Sequence, residues 1–222
     1  MKIIIACSNP ILTAKLRPLF ASEDFVFAQS KSEFSGLDLH DINPTYIFFP
    51  HWSFIIPSNV YENFICVVFH MTDLPYGRGG SPLQNLIQRK IYETKISALK
   101  VVKELDAGPI YIKKPLSLYG TAEEIYLRAS DCIASMIAHI LKENLIPKKQ
   151  EGDPVVFKRR TPEMSCVDEV DNIEDLFDHI RMLDADGYPK AFLENEDFRF
   201  EFTRASLKSD GTIKADVRIF KK

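Results

Sequence analysis

The run Ile65-Cys66-Val67-Val68-Phe69 passes directly into His70-Met71-Thr72-Asp73-Leu74-Pro75-Tyr76-Gly77-Arg78-Gly79-Gly80-Ser81-Pro82. An apolar run of strand length with no polar alternation belongs to a strand buried on both faces, and such strands sit in covered, typically parallel sheets. Glycine and proline then break regular structure, and a helix is predicted to start near Pro82, where proline suits the first turn. The pattern recurs upstream. Residues 2–7, Phe25-Val26-Phe27-Ala28 and Tyr46-Ile47-Phe48-Phe49 are short apolar runs, and Thr13 to Phe20 reads as a helix. Strands alternating with helices predict an α/β fold: a Rossmann-like, mostly parallel sheet with helices on both faces.

Downstream, Lys95 to Val102 and Pro109 to Leu118 read as strands joined by a turn containing Asp106-Ala107-Gly108. Thr121 and Glu124 have capping-box spacing ahead of a helix whose apolar residues recur at Ile125, Ile133, Ile137 and Leu141. The polar stretch 146–154 carries two prolines and marks the expected boundary between a catalytic domain, 1–150, and a small C-terminal α+β subdomain, 151–222. In the latter a helix is predicted over Asn172 to Leu183. Phe198 to Arg204 alternates apolar and charged residues, Asp210-Gly211 supplies a turn, and Ile213 to Phe220 is the return strand of a hairpin. Its open edge suits either a homodimer contact or a simple cap on the fold.

The 222 residues carry 28 Lys+Arg against 31 Asp+Glu, and this slight acidity argues against nucleic acid as the main partner. No window approaches the roughly 18 apolar residues of a membrane span. The four cysteines lie far apart and form no CxxC pair, so reduced thiols in a cytoplasmic protein are expected, with no metal.

Among five histidines, His70 stands apart because it ends a strand and opens a Gly/Pro-rich loop, where α/β sheets place ligands. Asp106 sits in a turn between strands; alone it is an ordinary turn aspartate, but paired with His70 it makes a base with an orienting carboxylate.

The His70–Gln84 stretch closely resembles the HPSLLPxxRGxxPxQ loop of the 10-formyltetrahydrofolate-dependent formyltransferases, and Glu104-Leu105-Asp106-Ala107-Gly108-Pro109-Ile110 is similar to that family's ELDTGDI loop. The resemblance spans roughly residues 46–145. It implies formyl transfer from 10-formyltetrahydrofolate to a primary amine, with His70 and Asp106 in the catalytic positions. The family's asparagine two residues before the histidine is Val68 here, which cannot hydrogen-bond a developing oxyanion. The same resemblance places the segment His51, Trp52, Ser53, Phe54, Ile55 and Ile56, with Asp106, at the folate; a packing loop is the alternative.

Three acceptors occur in the family. Methionyl-tRNA enzymes are longer, and glycinamide ribonucleotide enzymes carry a glycine loop where Cys7-Ser8-Asn9-Pro10 stands here. Arg159-Arg160-Thr161-Pro162 and Ile180-Arg181-Met182-Leu183-Asp184 resemble segments of sugar N-formyltransferases. The expected acceptor is therefore a nucleotide-linked 4-amino-4,6-dideoxyhexose, for glycan biosynthesis, with Thr72, Arg78, Gly79, Gly80, Arg159 and Arg160 as its expected contacts. The competing expectations are a catalytically weakened folate- or nucleotide-binding regulatory protein, because Val68 lacks the donor, and a formyltransferase acting on another amine such as glycinamide ribonucleotide or methionyl-tRNA.

Overall fold

The computed structural model describes all residues, 1–222. The chain forms two compact units. The first comprises Met1–Gly79, Thr94–Leu116 and Tyr126–Val156; the second comprises Gly80–Glu93, Ser117–Ile125 and Phe157–Lys222.

A six-stranded sheet dominates the first unit. Its strands are β1 (Ile3–Cys7), β2 (Phe25–Ala28), β3 (Tyr46–His51), β4 (Cys66–His70), β6 (Glu93–Lys100) and β7 (Ile110–Ser117), in the order β2-β1-β3-β4-β6-β7. The pairs β1–β2, β1–β3 and β3–β4 are parallel, and β4–β6 is antiparallel. The sheet is thus mixed but mostly parallel, as the apolar runs predict. Alternation along the strands sends Ile4, Ala6, Ala28, Ile47, Phe49 and Cys66 to one face, where Phe34 and Val60 complete a buried cluster. Ile3, Ile5, Phe48 and Val67 point to the other face and are equally buried. Helix α1 (Pro10–Leu19) starts three residues earlier than predicted, because the Asn9 side chain accepts from the Leu12 N–H at 3.0 Å and Pro10 occupies the first turn.

Three short helices, α2 (Lys31–Ser35), α3 (Leu39–Ile42) and α4 (Ser58–Tyr61), fill the crossovers. Strand β5 (Tyr76–Gly79) lies inside the loop after β4 and pairs with β8 (Val155–Phe157), and helix α5 (Pro82–Gln88) begins where proline predicts it. The long helix α6 (Ala122–Glu143) opens on the expected capping box: the Glu124 carboxylate accepts from the Thr121 N–H at 2.7 Å, and the Glu124 N–H donates to the Thr121 hydroxyl at 3.2 Å. No helix is long and apolar enough to cross a membrane.

In the second unit, β9 (Ala191–Glu194), β10 (Phe198–Leu207) and β11 (Ile213–Lys221) form an antiparallel sheet in the order β11-β10-β9, against which α7 (Ile173–Arg181) packs. A buried polar network braces this unit. Arg181, 3% exposed, donates from Nε to Asp178 at 2.7 Å and from Nη1 to the Leu118 and Gly120 carbonyls at 2.6 and 2.7 Å. The other Asp178 oxygen accepts from the Tyr92 hydroxyl at 2.8 Å and from Lys90 at 3.1 Å.

Candidate active site

His70 is the last residue of β4, so the sheet fixes its backbone at a carboxyl end while its ring projects into the following loop. The ring is buried, and its Nε2–H donates to the Gly77 carbonyl at 2.7 Å. This bond leaves Nδ1 as the nitrogen able to exchange a proton, and Nδ1 faces Oδ2 of Asp106 at 3.6 Å. The two residues, 36 positions apart in sequence, are therefore adjacent in space.

Asp106 reaches this position through a left-handed backbone conformation, φ 52°, unusual for a residue with a side chain. Its carboxylate also accepts the Gly79 N–H at 2.9 Å. Strand β5 thus holds both partners through its backbone, His70 through Gly77 O and Asp106 through Gly79 N. Gly77 and Gly79 have φ of 80° and 101°, which explains why this strand is spelled with glycines. Gly108 is required for a different reason: a Cβ there would lie 1.7 Å from the Lys100 carbonyl oxygen.

Val68, two residues before His70, is half-buried and packs against the cluster around Ile4 and Phe49; it offers no hydrogen bond. The hydroxyl of Thr72, expected at the substrate, cannot stand in for a donor. Thr72 is fully buried, its hydroxyl donates to Gly77 O at 3.3 Å, and its carbonyl accepts from Ser97 at 2.8 Å. Arg78 is likewise engaged, with Nε and Nη2 both donating to Oε1 of Gln150 at 3.1 and 2.7 Å.

The segment after β3 divides. Trp52, Phe54 and Ile55 line a cavity of about 530 Å³ with Phe34, Pro57 and Lys31, and neither His70 nor Asp106 lines it. Trp52 meets Phe34 and Phe54 at ring separations of 5.6 and 5.2 Å. Ile56 packs on the sheet cluster, as Trp52 also does, and Ser53 is exposed. His51 turns its ring edge-on to Tyr126 at 5.8 Å; its buried Nδ1 has no partner, and burial pulls its pKa below 6.5.

Gly80, Arg159 and Arg160 belong to the second unit. The Gly80 N–H donates to Phe157 O at 3.2 Å, and its Cα packs so tightly on Arg159 that a Cβ would come 2.5 Å from the arginine's own. Arg160 donates its N–H to the Ser81 hydroxyl at 3.0 Å and a guanidinium N–H to Met164 O; burial lowers its pKa, and its Nε has no partner.

Sequence reasoning missed Gln150, whose Nε2 donates to the Asp106 and Gly108 carbonyls at 2.8 and 2.9 Å. It lies in the polar stretch read as a boundary, 44 residues from Asp106, and no local pattern points to it.

A mostly parallel sheet with a buried histidine at one strand end and a loop aspartate facing it has the parts for general acid–base chemistry. Comparison with known proteins makes this specific. Over 100% of both chains the protein is 48% identical to a solved structure described as methionyl-tRNA formyltransferase from Clostridium thermocellum, with a TM-score of 0.96. Residues 162–220 match the family model for the methionyl-tRNA formyltransferase C-terminal domain. The chain belongs to the formyltransferase family.

A methionyl-tRNA formyltransferase of Campylobacter jejuni is 25% identical over 194 residues, and the chain spans 63% of that relative's length. A sugar N-formyltransferase structure from Shewanella, covered over 96% of its chain, is 18% identical with a TM-score of 0.66, a likeness that carries the fold alone.

These findings correct two expectations. The nucleotide-linked amino sugar gives way as acceptor, because the relative at 48% identity is named for methionyl-tRNA and the sugar enzyme stands at 18%. The exclusion of nucleic acid falls with it. A net charge of -3 is an average over the whole chain and does not decide what one surface binds.

Proposed function

We propose that this protein moves a formyl group from 10-formyltetrahydrofolate to the α-amino group of methionyl-tRNA. The observation that carries the reading is the His70–Asp106 pair, 3.6 Å apart, in a chain 48% identical end to end to a protein described as a methionyl-tRNA formyltransferase. The uncharged amine attacks the formyl carbon, a new C–N bond forms, and the bond from that carbon to the folate nitrogen breaks. His70 Nδ1 takes the proton lost by the amine and returns it to the departing nitrogen, while Asp106 steadies the transient imidazolium. Holding both substrates in one cleft supplies a further large part of the acceleration.

The aromatic wall of Trp52, Phe54 and Phe34 supports binding of the donor's ring systems, in a cavity whose size suits a small-molecule ligand. Val68 makes turnover slow: removing one oxyanion donor typically costs about 10²–10³ in rate. A charged tRNA as acceptor implies a cytoplasmic protein.

The test is incubation of the purified protein with 10-formyltetrahydrofolate and methionine-charged tRNA, followed by release of the amino acid and mass measurement. Formylmethionine is the expected product. Unmodified methionine after long incubation, under conditions where a known methionyl-tRNA formyltransferase reacts to completion, overturns the proposal.

A further inference from the structure

Asp106 is an expensive place to hold a carboxylate. A left-handed φ of 52° on a residue with a Cβ persists only where the surroundings over-determine it. The Gly79 N–H fixes the carboxylate, but the backbone of the loop needs its own restraint. Gln150 provides it, with Nε2 donating to two loop carbonyls at once, Asp106 O at 2.8 Å and Gly108 O at 2.9 Å. The opposite end of the same amide, Oε1, accepts both Nε and Nη2 of Arg78.

Arg78 lies on β5 between Gly77, which holds His70, and Gly79, which holds Asp106. The contacts therefore close a circuit: β5 backbone to the two reacting side chains, β5 side chain to Gln150, and Gln150 to the Asp106 loop. We infer that Gln150 is a positioning residue that sets the Asp106 carboxylate against His70. The inference rests on the reading of His70 and Asp106 as the catalytic pair. Only an amide fits the place, because a carboxylate can accept from Arg78 but cannot donate to carbonyls, and an ammonium can donate but cannot accept.

The test compares Gln150→Glu, which keeps the Arg78 contact and loses the loop contacts, with Gln150→Ala and with Asp106→Asn and His70→Ala as references. Circular dichroism establishes that each is folded. Gln150→Glu is expected to lower kcat by about 10²-fold, the scale of a 1 Å misplacement, with KM for both substrates altered less than about threefold. Independently of turnover, nitrogen NMR shifts of the His70 ring are expected to move in the same direction in Gln150→Glu as in Asp106→Asn.

Full kcat in Gln150→Glu while His70→Ala is inactive overturns the positioning role alone. Full kcat in His70→Ala overturns the catalytic reading beneath it. If the wild-type chain formylates nothing, the NMR comparison decides: His70 shifts unmoved by Gln150→Glu yet moved by Asp106→Asn overturn the inference.

Discussion

Nδ1 of His70 and Oδ2 of Asp106 face each other at 3.6 Å, too far for a hydrogen bond and too close to admit a water between them. An amine lying beside the pair reaches both atoms at ordinary hydrogen-bond length. On the proposed reading the two are a base and its counter-charge, with the second ring nitrogen tied off by Gly77.

Removing either member should disable the chemistry without unfolding the protein. General acid–base groups contribute typically about 10²–10⁴-fold, so His70→Ala and Asp106→Asn are each expected to lower kcat within that range. The double variant should be little worse than the worse single, because the two act as one unit. Steady-state rates of formyl transfer check this; additive losses in the double variant would show independent roles.

Val68 gives a prediction in the opposite direction. Its side chain sits two residues before His70 on the same strand face, packs on apolar neighbours and itself offers an oxyanion no hydrogen bond. Val68→Asn is expected to raise kcat, up to about the 10²–10³ that one such donor is worth. A modest stability loss of about 1 kcal/mol is expected alongside, from the polar group placed against the cluster. An unchanged kcat in a folded variant would mean that another donor already serves the oxyanion.

How much of this was legible follows from the length scale of each signal. Apolar runs announce β1 to β4, alternation announces β10 because sheet burial imposes that pattern directly, and the Asp210-Gly211 turn announces β11 as its return strand. Helices α2, α3 and α4 have five or four residues each and cannot display a helical period. Strand β5 is hidden by its own glycines, which read as a loop and are there to give the backbone two positive φ angles. The His70 and Asp106 loops stand out through motif resemblance. Gln150 could not, since its role arises only when the chain returns beside Asp106. The acceptor is not legible for a related reason: net charge sums the whole molecule, while recognition is local.

The Asp178–Arg181 pair predicts where the second unit is fragile. Both side chains are more than nine-tenths buried, and Asp178 also collects the Tyr92 hydroxyl and Lys90. Asp178→Ala leaves a buried guanidinium without its anion, a loss that costs about 3–5 kcal/mol. Chemical denaturation should show the midpoint falling accordingly, and Arg181→Ala should fall similarly, since it also strands the Leu118 and Gly120 carbonyls. A midpoint shift under about 1 kcal/mol in both variants would show that the network is only packed around, not relied upon.

The pH dependence of stability is set in part by two histidines that resist protonation. Burial lowers the pKa of His179 below 6.5, and the nearby Arg160 guanidinium lowers it further, while the Ser165 backbone opposes this with a hydrogen bond. Burial does the same to His51, whose Nδ1 has no partner. A group whose folded pKa lies below its unfolded value binds fewer protons when folded. Its contribution is complete above pH 6.5 and is lost as pH falls through the interval down to the folded pKa. Urea midpoints are therefore expected to drop as pH falls below 6.5, with a slope steepened by up to about one proton per histidine. His179→Gln and His51→Gln remove that titration, so each should flatten the slope even where it lowers the midpoint at neutral pH. A slope that stays as steep in the double variant would assign the acid sensitivity to groups other than these two imidazoles.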